Sequence, residues 1–317
     1  MLKFIGAQFR HGKCFLRTSP KLPGKCCFLR RNLSKENFTG EEKTIVRLNV
    51  AFRKLLLLAP AAFVYGSTGR VTINPERHEH LLRQLQCLRG AVYLEDGAIT
   101  PKQLTNGRHI ESRDRQSWHL LVVNENDDVL GCARYCEHTP DVQFGELAAA
   151  EASLARCRTW GAKTRAAIEK ELGLARDMDL PFVEVGGWAL DREIRGGIEA
   201  LRLSLGTYAL ARELGGGVGL ATATTRHSSS SILRKLGGQS LRYGNEEVPP
   251  YDDEHYKCRM ELLRFYSWAP NPRYDVWIEE IRAEMSDIPV VCASSDALLE
   301  LSSGVNVRQP QRFALAS

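Results

Sequence analysis

The chain has 317 residues, of which 43% are hydrophobic and 26% charged, an ordinary composition for a globular protein with a buried core. Its net charge of +5 is unevenly spread, because residues 1–40 hold nine Lys or Arg and one acid, Glu36. This basic segment lacks the heptads and the zinc-ligand spacing of known nucleic-acid-binding modules, so we expect no nucleic-acid partner.

The first 70 residues are interpreted as a basic N-terminal extension. Residues 1–40 have the acid-poor composition of an organellar transit peptide, and an apolar run covers 55–65. That run is too short to span a bilayer, which takes about 20 residues, so no transmembrane segment is expected. Three interpretations of the run at 55–65 remain open: a signal-type core, an amphipathic helix, or part of a non-native start of marginal order. A cytoplasmic location is expected, although the leader is compatible with an organelle or a membrane surface.

The remaining pattern alternates between helices and strands. Apolar residues at helical spacing predict a helix from Pro75, with Asn74 as its cap. The chain then predicts a polar loop over 96–116, strands over 118–123 and 129–135, a helical stretch over 145–175, a strand over 182–190, a helix over 195–214, a strand over 218–225, a helix over 228–236 capped by Ser228, strands over 239–243 and 257–265, and a helix over 275–285.

This order predicts an α/β fold with a mixed, partly antiparallel sheet flanked by helices. An all-parallel sheet would not begin with a hairpin or end with two consecutive strands. The folded domain is assigned to 71–290, and 291–317 is interpreted as a C-terminal tail because it shows little pattern.

The chain has nine cysteines, an odd number, and no Cys-x-x-Cys pair. Free thiols in a reducing compartment explain this distribution. A zinc site built on Cys132, Cys136 and His138 is disfavoured because the paired spacing is missing, so no metal site is predicted.

The segment 181–238 carries the most specific chemistry. An otherwise apolar strand bears one acid, Glu184, followed by Gly186 and Gly187, and glycines inside a strand predict a bulge or a close backbone approach. The turn after that strand leads into a helix. Free amides and the helix dipole at such a turn predict a cradle for phosphate groups, built from Arg192, Arg195, Gly196 and Gly197.

These residues resemble the GNAT acyltransferase superfamily. In that family a bulged strand lines the pantetheine arm of the acyl carrier, and an Arg/Gln-x-x-Gly-x-Gly/Ala turn binds its phosphates. Here Arg195-Gly196-Gly197 begins the corresponding turn, and Leu236-Gly237 corresponds to the Leu-Gly of the family's later Leu-Gly-Phe. The chain departs from the pattern at Ile198, where the motif has glycine, and at Leu233, where many members carry a tyrosine that protonates the leaving thiolate.

A wider set of residues resembles the autoinducer synthase and long-chain N-acyl amino acid synthase branch. The likeness covers about 81–265 and follows Tyr93, Asp114, Trp118, Gly131-Cys132-Ala133-Arg134 and Glu184. It implies a GNAT-like fold and direct transfer of an acyl group to a small amine, such as an amino acid. The donor would be acyl-CoA or acyl carrier protein, whose phosphopantetheine serves as co-substrate beside Gly187 and Trp188, and no cofactor would be bound permanently.

Two other functions stay open. A binding or regulatory module of the same fold would hold the thioester without turnover, as the departure at Leu233 suggests. An autoinducer-type synthase would use S-adenosylmethionine as acceptor. That branch usually carries an arginine soon after the strand glutamate, where this chain has Gly187 and Trp188. This difference argues against an autoinducer-type synthase.

Several residues have both a catalytic and a structural interpretation. Glu184 is predicted to have a raised pKa and to serve as base or amine contact, or to form an ion pair with Arg134 or Arg192. His227 is a candidate to protonate the thiolate or act as base, or is a loop residue. A backbone N–H freed near Gly186 would stabilise the oxyanion.

The hairpin offers a second set. Asp114 is predicted to take an ammonium group of the acceptor and Arg134 a carboxylate, the alternative being a salt bridge that stabilises the hairpin. Trp118 is placed with them as pocket wall, or else in the core.

Overall fold

The structure is a computed structural model that describes residues 53–61 and 70–293, apart from the side chain of His227. The helices are α1 Pro75–Glu95, α2 Gly161–Asp177, α3 Glu199–Glu213, α4 Ser229–Leu236 and α5 Asp275–Glu284. The strands are β1 Lys54–Leu58, β2 Arg70–Ile73, β3 Trp118–Val123, β4 Val129–His138, β5 Phe182–Leu190, β6 Val218–Thr224, β7 Gln239–Ser240, β8 Arg242–Tyr243, β9 Glu246–Glu247, β10 Tyr251–Asp253, β11 Cys258–Tyr266 and β12 Pro289–Cys292.

The main sheet has ten strands in the order β10-β11-β6-β5-β4-β3-β1-β12-β2, with β7 also paired to β11. Strands β5 and β6 are parallel, as are β1, β12 and β2, and the other neighbours are antiparallel. The predicted mixed sheet with flanking helices is therefore confirmed. None of the helices within the described ranges is long and apolar enough to cross a membrane.

Helices cover both faces of the sheet. Because side chains alternate along a strand, β3 sends Leu120 to the core with α3 and α5 and Leu121 to the core with α1. A third core lies between α2 and the strands β6 and β11. The predicted helix at Pro75 is confirmed, since the side chain of its cap Asn74 accepts a hydrogen bond from the Arg77 amide at 2.9 Å.

The apolar run at 55–65 is corrected by the structure for its first residues. Leu55–Leu58 belong to strand β1, which lies between β3 and β12, and not to a helix or a signal-type core. Leu55 and Leu57 pack towards α3 and α5, whereas Leu56 and Leu58 pack towards α1. A continuous apolar run is typical of a strand that is buried on both faces. The rest of the run, 62–65, lies outside the described residues.

Three smaller predictions are also corrected. The stretch 145–175 begins as three short 3₁₀ turns, and its α-helix starts only at Gly161. Ser228 does not cap α4 through its side chain, because its backbone is left-handed with φ of 62°. Strand β12 forms at 289–292, where the sequence shows little pattern, because pairing with β1 and β2 supplies the order.

Candidate active site

Strands β5 and β6 diverge in the middle of the sheet. Their parallel pairing extends from Phe182 with Val218 to Val185 with Ala221 and then stops. On the other side of β5 the register shifts between Cys132 and Arg134 of β4, so that Gly187 and Trp188 bulge opposite Ala133. The bulge predicted at this glycine doublet is present, and Gly187 has a φ of 61°. The backbone of β5 beyond Val185 therefore borders an opening in the sheet.

A cavity of about 720 Å³ fills this opening. On the α3 side its wall includes Ser204, Thr207 and Leu233, and on the α1 side it includes Arg134 and Glu184. The volume is ample for a small substrate, and a passage through the sheet gives two reactants access from different sides. Four of the residues predicted from sequence line it, namely Arg134, Glu184, Gly187 and Trp188.

Glu184 is held by hydrogen bonds from three donors. His138 Nε2 lies 3.1 Å from its Oε2, and the amides of Ala148 and Ala149 donate at 2.9 Å each. Burial acts to raise the pKa of Glu184, but these donors outweigh it, so the pKa lies below its ordinary value. The expectation of a raised pKa is therefore wrong. The ion-pair partner is also neither Arg134 nor Arg192, since His138 and, at 3.8 Å, Arg113 take that place.

His138 connects Glu184 to a buried thiol. Burial acts to lower the pKa of His138, but hydrogen bonds with Cys136 and Glu184 raise it to about 9. Burial acts to raise the pKa of Cys136, yet its hydrogen bonds with His138 and Ser117 bring it below the usual value. The spacing follows from the pleat, because Cys136 and His138 share one face of β4 and Glu184 pairs directly with Cys136.

A buried network of four charges lies beside the cavity. Arg89, fully buried, donates to Asp114 at 2.9 and 2.6 Å, and Arg134 contacts both Glu111 and Asp114. Asp114 also accepts from Gln86 at 3.0 Å and does not line the cavity. Its carboxylate makes the contacts of the salt-bridge alternative and, unlike that of Glu184, belongs to a residue that does not line the cavity. Burial acts to raise the pKa of Asp114, but the hydrogen bonds and charge of Arg89 outweigh it, so the pKa lies well below the ordinary range.

Arg134 lines the cavity beside the glycine doublet of β5. Its Nη1 atom makes the contacts with Glu111 and Asp114, whereas its buried Nε atom has no hydrogen-bond partner within the described part of the chain. A Cβ built on Gly186 would lie 3.7 Å from Nη2, which places that nitrogen at the glycine doublet. A guanidinium edge with Nε and Nη2 is the group that binds a carboxylate in bidentate fashion.

Aromatic rings form the end of the cavity near α1. Tyr93 and His109 meet edge to face at 5.4 Å, and Tyr256 lies 6.0 Å from Tyr93 and 4.7 Å from His255. The Nδ1 atom of His109 is buried without a hydrogen-bond partner among the described residues. Burial, and then the charge of Arg89, lower the pKa of His109, so this end of the cavity favours a neutral imidazole.

The predicted phosphate cradle lies outside the cavity wall. Arg192 and Arg195 instead contact Glu95 at 2.7 and 3.2 Å. Gly196 has a φ of 77°, and Gly197 lies two residues before the start of α3, as a turn into a helix requires. None of these four residues is among those that line the cavity.

Trp118 is not among the residues that line the cavity. Trp118 pairs with Tyr135 in the core on the α3 face, one residue away from His119, which pairs with Arg134. His227 lies in a short turn before α4, and its side chain lies outside the described residues.

The sequence gives little signal for several residues that do line the site. Glu111 and His109 lie in the polar loop, and Tyr256 lies in the turn between β10 and β11. The acid at 111, three residues before Asp114, is the one local hint, since the family likeness calls for an early acidic cluster. Within the ranges that the structure describes, no group of three or more His, Cys, Asp or Glu is placed to hold a metal ion.

No protein-family model matches the chain, and no curated protein matches it. Among solved structures, it is similar to the CoA-dependent acyl-homoserine lactone synthase BjaI, with 16% identity and a TM-score of 0.47 over 80% of this chain and 100% of that one. It is also similar to FeeM, an N-acyl amino acid synthase from uncultured soil microbes, with 14% identity and a TM-score of 0.37 over 68% of this chain and 92% of that one. A third is arylalkylamine N-acetyltransferase 2 from Aedes aegypti, with 14% identity and a TM-score of 0.37 over 59% and 93%.

These solved structures comprise an autoinducer synthase, an N-acyl amino acid synthase and an N-acetyltransferase. At such identities the likeness concerns the fold alone. What the site does is argued from its own side chains.

Proposed function

We propose that this protein is an N-acyltransferase that moves an acyl group from a pantetheine thioester to the amine of an amino acid. The observation that carries the proposal is the cavity through the divided sheet, whose wall includes both Arg134 and Glu184. A cationic fork and an anion in one cavity are complementary to the carboxylate and ammonium groups of an amino acid.

The thioester side follows from the opening in β5. Beyond Val185 this strand has no partner in β6, so an extended pantetheine arm can lie along its free edge. The bulge at Gly187 and Trp188 turns backbone groups towards the cavity, where an N–H would stabilise the oxyanion.

The reaction then balances without a covalent enzyme intermediate. The acceptor's neutral amine attacks the thioester carbonyl, a C–N bond forms, and the C–S bond of the tetrahedral intermediate breaks. One amine proton ends on the leaving sulfur, giving an amide and a free thiol. Glu184 holds the acceptor as an ammonium group, which gives one proton to water before the attack, since a carboxylate with a lowered pKa binds an ammonium group more readily than it removes its proton.

The test is thiol release by the full-length protein, with acyl donors from C2 to C16 and pooled amino acids. Glu184→Gln is expected to lower kcat/KM by about 100-fold, because it removes the charge that holds the amine. Arg134→Lys is expected to raise the acceptor KM about tenfold while kcat changes less, because lysine keeps the charge but not the fork.

Matched controls come from an exposed pair on α2. Arg165 and Glu169 form an ion pair at 2.7 Å on the surface, so Arg165→Lys and Glu169→Gln should retain wild-type kinetics. A wild-type protein that binds pantetheine thioesters but releases no thiol with any acceptor would refute the enzyme and leave a thioester-binding module.

A further inference from the structure

The N-terminal end of α3 already contains an anion supplied by the chain itself. Glu199 is the first residue of the helix and is only 4% exposed. Its carboxylate lies against Gly197, where a Cβ would collide with Oε2. Its other oxygen accepts from Arg53 Nη1 at 3.0 Å, just before β1. A carboxylate at this end of a helix takes the favourable interaction with the dipole that a phosphate would otherwise take.

Four amides of the turn before α3 donate hydrogen bonds within the chain. The bonds are Glu193 N to Asp191 Oδ1 at 2.9 Å, Ile194 N and Arg195 N to the Asp191 carbonyl at 3.1 Å each, and Gly197 N to the Ile194 carbonyl at 3.2 Å. Amides that already donate to the chain are not free to wrap a phosphate.

The two arginines of the turn are also paired. Arg192 and Arg195 share the carboxylate of Glu95 at the end of α1. Exposed pairs of this kind are weak and would yield to a phosphate on their own. Glu199 differs because its side chain is buried, whereas that of Arg53 is partly exposed, so a diphosphate placed beside Glu199 would meet an anion that cannot move into solvent.

We infer that Glu199 and Arg53 replace the donor's diphosphate at α3, so that the donor is recognised through its thioester and pantetheine arm and not through a nucleotide. The inference rests on the proposed function. It narrows the acyl donor to pantetheine thioesters that are bound without a nucleotide, such as the acyl-phosphopantetheine of a carrier protein. The cavity is consistent with this inference, because its lining residues on β5 end at Trp188 and those on α3 begin at Ser204. The turn between them is not part of the cavity wall.

The experiment compares one acyl group on CoA, on pantetheine and on acyl carrier protein, using the full chain and thiol release. We expect kcat/KM for acyl-CoA to stay within threefold of that for acyl-pantetheine, and acyl carrier protein to be used at least as well as acyl-CoA. An advantage of acyl-CoA over acyl-pantetheine greater than tenfold, or turnover of acyl-CoA alone, would overturn the inference.

Glu199→Gln tests the assigned residue. Without the carboxylate charge, the helix end and Arg53 become available to a diphosphate, so acyl-CoA should gain at least fivefold over acyl-pantetheine. Glu169→Gln, which neutralises an exposed carboxylate on α2, should leave that ratio unchanged. A ratio that Glu199→Gln does not move in a folded protein would contradict the role of Glu199, and the wild-type ratio still decides if the variant does not fold.

A separate readout distinguishes the failure of this inference from that of the proposed function. If no donor releases thiol, the acyltransferase is refuted, and calorimetry with CoA and pantetheine then decides how the ligand is recognised. Equal affinity for both compounds supports recognition through the arm. Tenfold tighter binding of CoA, or no binding of pantetheine, overturns it.

Discussion

Glu184 illustrates how the residues around a buried carboxylate decide its chemistry. Burial alone would raise its pKa and make it a proton acceptor at neutral pH. Three donors from β4 and from the turns after it act in the other direction and keep it charged. An anion fixed in this way holds the acceptor's amine in position, and the final proton can pass to the sulfur.

His138 should give the stability of the protein a distinct pH dependence. Its pKa in the folded state is about 9, above the ordinary 6.5, so its contribution is complete below pH 6.5 and is lost as the pH rises through 9. We expect the difference in unfolding free energy between wild type and His138→Gln to shrink by on the order of 3 kcal/mol between these values.

Urea unfolding followed by circular dichroism at pH 6.5, 7.5 and 9 measures this difference. His80→Gln, on the exposed side of α1, serves as control and should keep the wild-type slope. If His138→Gln loses stability with pH as steeply as wild type, the hydrogen bonds of His138 with Cys136 and Glu184 do not cause the pH dependence.

At the scale of elements, the bulge in β5 sets the shape of the site. Gly187 has a φ of 61°, and a Cβ there would lie 3.1 Å from the Arg134 Cβ and 3.2 Å from Arg89 Nη1. Gly187→Ala should therefore cost about 1–3 kcal/mol of stability and reduce thiol release, because Arg134 must shift.

Unfolding in urea and thiol release are measured together on this variant. Gly173→Ala in α2 is the matched control, since a Cβ there meets nothing within 4 Å and should add up to about 1 kcal/mol. A Gly187→Ala protein with wild-type stability and turnover would show that the bulge does not position Arg134.

The elements that the sequence predicts well are those with a local signal. Strand β5 and helix α1 follow from hydrophobic period and capping, whereas the run at Leu55–Leu58 has no period and is recognised as a strand only through its partners. The residues of the candidate site are likewise predictable only where the sequence carries a local signal. Arg134 and Glu184 stand out as polar residues on apolar strands, but a one-residue step in register sends Trp118 to the opposite face.

The pairings of charges were beyond prediction for a related reason. Glu184 meets His138 across 46 positions, and Glu199 meets Arg53 across 146. No local pattern carries such a distance, because only the folded sheet brings these residues together. The position of Glu184 on an apolar strand therefore indicated a candidate site, but it did not predict the direction in which the pKa of Glu184 is shifted.

At the scale of the molecule, the sheet is completed by segments from both ends of the described chain. Strand β1 lies between β3 and β12, and β12 carries β2 on its outer edge. Residues 54–58 and 289–292 therefore hold the α1 and α5 sides together, even though the sequence assigns the domain to 71–290. That boundary remains a prediction, and a change in chain length tests it directly.

A chain that begins at residue 70 should not fold stably, whereas one that begins at residue 50 should. Each of Leu55–Leu58 is at most 4% exposed, and burial of a leucine contributes about 2 kcal/mol, so their loss removes about 8 kcal/mol. That is as large as the whole stability of a typical domain. Thermal melting and thiol release should be measured for both chains, with Leu56→Ala in the longer one expected to cost about 2–5 kcal/mol. Cooperative melting of the shorter chain at the temperature of the longer one would show that β1 is dispensable and that the boundary at 71 is correct.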